Sequence, residues 1–108
     1  MILNENKRMR KHVKNSKRKA KFPPSCGCKT YLIHWEKATK LNKPQRCSKL
    51  GCSNAARVGA HIFNCSDTSS NKLMIVPLCN ACNNPANSGC FYLKKNVKTP
   101  SASKMKSC

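Results

Sequence analysis

Acidic residues are nearly missing from this chain: Glu5, Glu36 and Asp67 are the only three among 108 residues. Three carboxylates cannot neutralise 22 lysines and arginines on any fold, so a charge-balanced surface is excluded. Aromatic residues are 6% of the chain, with Trp35 the single tryptophan, and apolar residues 39%. A chain this short and this polar buries too little apolar surface to be held by packing alone, so something else must staple it. No stretch approaches the roughly 20 apolar residues of a membrane span. Met1-Ile2-Leu3 runs into Asn4, Glu5, Asn6 and a basic stretch, without the apolar segment of about 7–15 residues that marks a secretory signal. Internal repeats, a phosphate-binding glycine loop and a serine-histidine-acid set are also lacking. These absences point to one small domain in a reducing compartment: cytoplasm or nucleoid, the nucleus of a host that has one, or a virion.

Cysteine, by contrast, is plentiful, with nine residues. In a reducing compartment paired cysteines are metal ligands more often than disulfides, and an odd number leaves one thiol over in any all-disulfide scheme. Cys47 and Cys52 are separated by four residues, and Cys79 and Cys82 by two. Two such turns, each offering two thiolates, make a four-cysteine set for tetrahedral Zn²⁺. Gly51 supplies the positive φ that brings the first two sulfurs onto one ion. Setting these four aside leaves Cys26, Cys28, His34 and His61, the composition of a second structural zinc site. Cys65 and Cys90 are substitute ligands for it, and Cys108 reads as a free terminal thiol.

The net charge of +19 is the second strong signal. Such a chain repels itself and seeks polyanions, since each cation placed on a phosphate releases condensed counterions. DNA or RNA is the expected partner, an acidic protein complex the alternative, and no membrane is implied. Seventeen lysines against five arginines favour point-charge contacts with phosphates over base-edge reading. The densest cation run is Lys7, Arg8, Arg10, Lys11, Lys14, Lys17, Arg18, Lys19 and Lys21, which lacks apolar periodicity. Residues 1–24 are therefore expected to form a basic, disordered arm that orders on a phosphate backbone.

Past Phe22-Pro23-Pro24 the composition turns domain-like. Tyr31, Leu32, Trp35, Ala38 and Leu41 recur at helical spacing, placing a helix within 28–41 with Trp35 as core anchor. Residues 57–63 read as a strand, 68–71 as a turn and 73–76 as a second strand. A short helix is expected to open at Cys79, its amides aimed at the thiolates. Residues 91–93 form a short strand or packing segment, and disorder is expected over 99–108. The domain thus spans 25–98, with a treble clef over 46–84.

Gly59-Ala60-His61-Ile62, followed by Ile75-Val76-Pro77-Leu78-Cys79-Asn80-Ala81-Cys82-Asn83, resembles the HNH (ββα-metal) endonuclease family in its four-cysteine zinc form. The resemblance covers roughly 46–84. It implies His61 as the general base for phosphodiester hydrolysis and Asn83 as a ligand of a catalytic divalent metal. The chain departs from the family at Ala60, where a metal-binding side chain is usual, and at Met74, where an asparagine is usual. Hydrolysis needs a cation on the scissile phosphate as well as a base. The sequence therefore reads first as a small α+β, zinc-stapled, treble-clef (HNH-like) domain that binds nucleic acid with little sequence preference. An endonuclease using His61, and a module docking on an acidic partner, are its alternatives. Low acid with abundant lysine and asparagine fits an AT-rich genome, a virus among the candidates.

Overall fold

The structure is a computed structural model of the chain, and it describes residues 11–16, 28–42, 46–66, 73–84 and 89–102. Four strands, β1 (His12–Asn15), β2 (Val58–Asn64), β3 (Met74–Leu78) and β4 (Phe91–Tyr92), form one antiparallel sheet in the order β3-β2-β1-β4. The single helix among the described residues, α1, spans Tyr31–Thr39. The α+β class holds; a treble clef is not established by this arrangement.

The β2–β3 hairpin fixes which residues share a face. Val58 pairs with Leu78, Ala60 with Val76 and Ile62 with Met74; the alternate pairs are Gly59 with Pro77 and His61 with Ile75. Directly opposed residues point the same way and successive ones alternate. One face therefore carries Ala60, Ile62, Val76 and Leu78, which form the core with Val13, Leu93, Cys47, Cys79 and Cys82. The other carries Gly59, His61 and Ile75 and lies under α1. The sheet is thus a partition, with the cysteine turns on one side and the helix on the other.

α1 begins at Thr30, whose extended backbone and Oγ1, accepting from the Ile33 amide at 3.1 Å, cap the first turn. It ends at Lys40, in the left-handed region at φ 59°. Its buried residues are His34 and Trp35, while Leu41, expected on the apolar stripe, lies past the helix and is 48% exposed. Both buried rings find polar partners: Trp35 Nε1 donates to the Lys98 carbonyl and His34 Nε2 bonds the Ser101 carbonyl, each at 2.9 Å. A carbonyl only accepts, so Nε2 of His34 carries its proton.

Gly59 lets the helix sit this close. A Cβ there would collide with the Tyr31 carbonyl carbon and lie 2.5 Å from the Leu32 nitrogen. These are backbone atoms that cannot swing aside. Gly59→Ala is expected to cost about 3 kcal/mol, the upper range of overpacking, read as a lower urea midpoint at unchanged slope. An unchanged midpoint would mean that α1 is not seated on β2.

Two expectations of disorder do not survive for the residues described. Within the basic run, His12–Asn15 is an inner strand, paired on one side with β2 and on the other with β4. Val13 is fully buried and Asn15 nearly so, which gives two residues of the basic run a place in the interior. Within the tail, Pro100 accepts from the Ile75 amide and Ala102 donates to the Leu73 carbonyl, each at 2.9 Å, so 99–102 runs along the free edge of β3. Of the basic residues singled out, Lys11 and Lys14 lie in the described part; Lys7, Arg8, Arg10, Lys17, Arg18, Lys19 and Lys21 lie outside it, as does Cys26.

Candidate metal centre

The first cysteine turn is sewn to the sheet by its backbone. The Cys47 amide donates to Asn54 O at 2.8 Å, Ser48 to Pro77 O at 2.9 Å, Leu50 to Tyr92 O at 2.8 Å and Cys52 to Lys49 O at 3.1 Å. Gly51 takes φ 87°, the left-handed turn residue that closes the loop. Lys94 reaches in to donate from Nζ to the Cys52 carbonyl at 2.7 Å. The second turn follows β3 directly. Here the expected helix is reduced to one turn, in which Asn83 N–H donates to Cys79 O at 3.0 Å. Buried Asn15 of β1 fastens it, donating from Nδ2 to the Cys82 carbonyl at 2.7 Å.

These two anchored turns bring Cys47, Cys52, Cys79 and Cys82 together, with all four Sγ atoms within 4.8 Å of one another. None of the four is in a disulfide. Cys52 Sγ lies 3.8 Å from Cys79 Sγ and 3.7 Å from Cys82 Sγ. Four sulfurs at about 2.3 Å from a tetrahedral ion are about 3.8 Å apart, so the spacing fits a thiolate-bound metal and is far too wide for bonding between sulfurs. The donor set suits a zinc-class ion, and the chain has brought together the four residues its spacing singled out.

The electrostatics favour deprotonated sulfur at one position above the others. Burial pushes the Cys79 thiol up, but the Cys82 amide at 3.4 Å, the Asn54 side-chain amide at 3.8 Å and the neighbouring thiols outweigh it and hold Cys79 down at about 6. Burial, reinforced by the hydrogen bonds to Cys79 and Cys52, raises Cys82, and burial raises Cys47. Cys79 is thus the thiolate beside the neutral thiols of Cys47 and Cys82. A divalent ion would supply the positive charge that lets the others ionise.

The remaining singled-out residues do not converge in this way. His61 is on the helix side of the sheet, its ring edge-on to Tyr31 with centroids 4.2 Å apart. His34 holds Ser101, and Cys28 is buried and disulfide-bonded. Among the described residues, Cys28, His34 and His61 form no common ligand cluster. Asn83 follows Cys82 in the second cysteine turn, its amide bonded to Cys79 O. Ala60 is 1% exposed and belongs to the cysteine-side core.

Burial lowers the His61 pKa, and the charge of nearby His34 lowers it further. The folded state therefore refuses a proton that the unfolded chain accepts near 6.5. The stability contributed by neutral His61 is complete above that value and is lost as pH falls through the lower folded pKa. Between pH 7.5 and 5.5, wild type should lose more of its urea midpoint than His61→Gln does; equal losses would show that the ring titrates freely.

Asn15, Asn54, Lys94 and the 93–102 segment support the centre or its surroundings without having been legible as doing so. Only Asn15 had a signal, an uncharged polar residue two positions after Val13 in a run of cations. Protein-family models, curated proteins and solved structures were each compared with the chain, and no match was found.

Proposed function

We propose that this protein binds nucleic acid through its phosphates and uses a Zn²⁺ ion on Cys47, Cys52, Cys79 and Cys82 to hold the binding surface in shape. The observation that carries the reading is the net charge of +19 against three acids. Cation crowding points the same way: Lys11 has a lowered pKa, through burial first and the charge of Lys98 second. A phosphate between such groups would relieve their repulsion.

The open end of the helix-side face adds a second kind of contact. His12 stacks on Tyr92 with centroids 4.3 Å apart and planes at 12°, and Lys14 Nζ lies 5.4 Å from the centre of the Phe63 ring. Cations interleaved with aromatic rings suit a single-stranded or unpaired segment, where bases stack irrespective of sequence. Packing of His61 against Tyr31 and burial of Ala60 in the core favour binding over hydrolysis.

The test uses supercoiled plasmid and single-stranded DNA and RNA, with zinc-loaded protein, in the presence and absence of Mg²⁺, Mn²⁺ or Ni²⁺. Salt-sensitive retardation without nicking supports the proposal. Metal-dependent nicking that disappears in His61→Ala would replace it with the endonuclease reading. Saturable binding to one acidic protein complex, persisting after nuclease digestion and without retardation of nucleic acid, would replace it with the interaction-module reading.

A further inference from the structure

A second set of donors converges on the other side of the sheet. Cys65 follows β2, Cys90 precedes β4, and His12 opens the strand between them. Cys65 and Cys90 are joined in a disulfide, with Cα atoms 5.9 Å apart. The donor atoms of His12, Cys65 and Cys90 all lie within 4.8 Å of one another. Val13 points into the cysteine-side core, so His12 beside it points to the opposite face, away from the four-cysteine centre.

We propose that His12, Cys65 and Cys90 form a second metal site, of Cys₂His composition with one open coordination position, present in the dithiol form and closed by the Cys65–Cys90 disulfide. Three features support it. The donors are two sulfurs and an imidazole, a ligand set used by zinc sites that leave the fourth position to water or another ligand. Their backbone is already ordered: the Cys65 amide donates to His12 O at 2.9 Å, Leu93 donates to Lys11 O at 3.0 Å, and His12 is in register with Tyr92. Stacking on Tyr92 further restricts the His12 ring. His12 and Cys90 are exposed, so a small thiol, an ion and a fourth ligand can all reach the site.

The two states exclude each other because they use the same sulfurs. A dithiol reductant transfers two electrons and two protons to the Cys65–Cys90 bond, becoming a disulfide itself and leaving two thiols. Binding of a divalent ion then releases those two protons and leaves two thiolates on the metal. In the reverse direction an oxidised dithiol accepts the two electrons, the sulfur–sulfur bond re-forms, and the ion departs. His12 belongs to the basic segment, so in the metal form alone the ion cross-links that segment to the ends of β2 and β4.

The experiment loads the full chain with Zn²⁺ as the only metal, in its reduced and oxidised forms, removes free ion by gel filtration and measures zinc per chain. Two ions are expected after reduction and one after oxidation. Reduction also opens the disulfide of Cys28, so the assignment depends on variants. Cys65→Ser with Cys90→Ser should bind one ion in either condition. Exposed His12, replaced by Ala, should weaken the second ion at least tenfold while leaving the first. Cobalt substitution gives a second readout: the visible bands of the reduced wild type should lose a Cys₂His component in His12→Ala. One zinc in the reduced wild type, two in the oxidised form, or a second ion unaffected by these variants would each overturn the assignment.

Discussion

Removing the metal from the four-cysteine centre is expected to unfold the domain. A strong chelator added to the zinc-loaded protein, or the substitution Cys82→Ser, should abolish the cooperative thermal transition and shift Trp35 emission to the red. Both cysteine turns supply atoms to the main core, and Cys47, Cys79 and Cys82 are themselves buried within it. Without the ion, burial keeps the Cys47 and Cys82 thiols neutral in a space shaped for a cation. Structural zinc contributes an apparent 10–16 kcal/mol in small zinc-dependent folds at neutral pH, about as much as the whole stability of an ordinary domain, roughly 5–15 kcal/mol. Trp35 is the suitable reporter because it is 3% exposed and donates to Lys98 on the far side of the sheet from the cysteines. Its response would show that loss of the centre propagates through the partition. Unchanged emission and an unchanged melting temperature in excess chelator would mean that the sheet holds itself and that the cysteine cluster is no staple.

Nucleic-acid affinity is expected to collapse with salt. If six to ten phosphates are neutralised, the association constant should fall about 10³- to 10⁵-fold between 50 and 200 mM salt. The 22 cations exceed that number at least twofold, and on the proposed reading the excess of lysine would make the contacts largely indifferent to base identity. Lys14 offers a single-residue check. Its side chain lies over Phe63 on an inner strand, so Lys14→Gln should lower the slope of log affinity against log salt by about one. A salt-independent affinity, or a strong preference for one sequence among random competitors, would remove phosphate contacts from the centre of the mechanism.

The parts of the fold legible in advance are those whose signal is local. The ligand spacings of Cys47-x4-Cys52 and Cys79-x2-Cys82, the turn glycine at Gly51, each strand of the 58–78 hairpin and the helix around Trp35 announce themselves over short stretches of sequence. Strand β1 was illegible because its alternation has only two inward members, Val13 and Asn15, and one is polar. Nothing nearby says that the Asn15 amide will meet the Cys82 carbonyl 67 positions later. The same applies to His34, whose burial depends on the Ser101 carbonyl arriving to accept a hydrogen bond from Nε2. The helix expected at Cys79 amounts to a single turn, Asn83 N–H to Cys79 O, and Pro85, which lacks an amide hydrogen, follows two residues later.

Composition and short-range spacing by themselves determined that this chain is polycationic, which four cysteines form one candidate metal-binding cluster, and which segments form the hairpin and helix. Charge sums without regard to conformation, and ligand turns close within a few residues. Only the tertiary structure decided that part of the basic run becomes an inner strand, that His61 faces the helix while the cysteines face the other side, and that His12, Cys65 and Cys90 meet. Those outcomes depend on pairing between strands distant in sequence, where the alternating direction of side chains assigns each residue to one face of the sheet or the other.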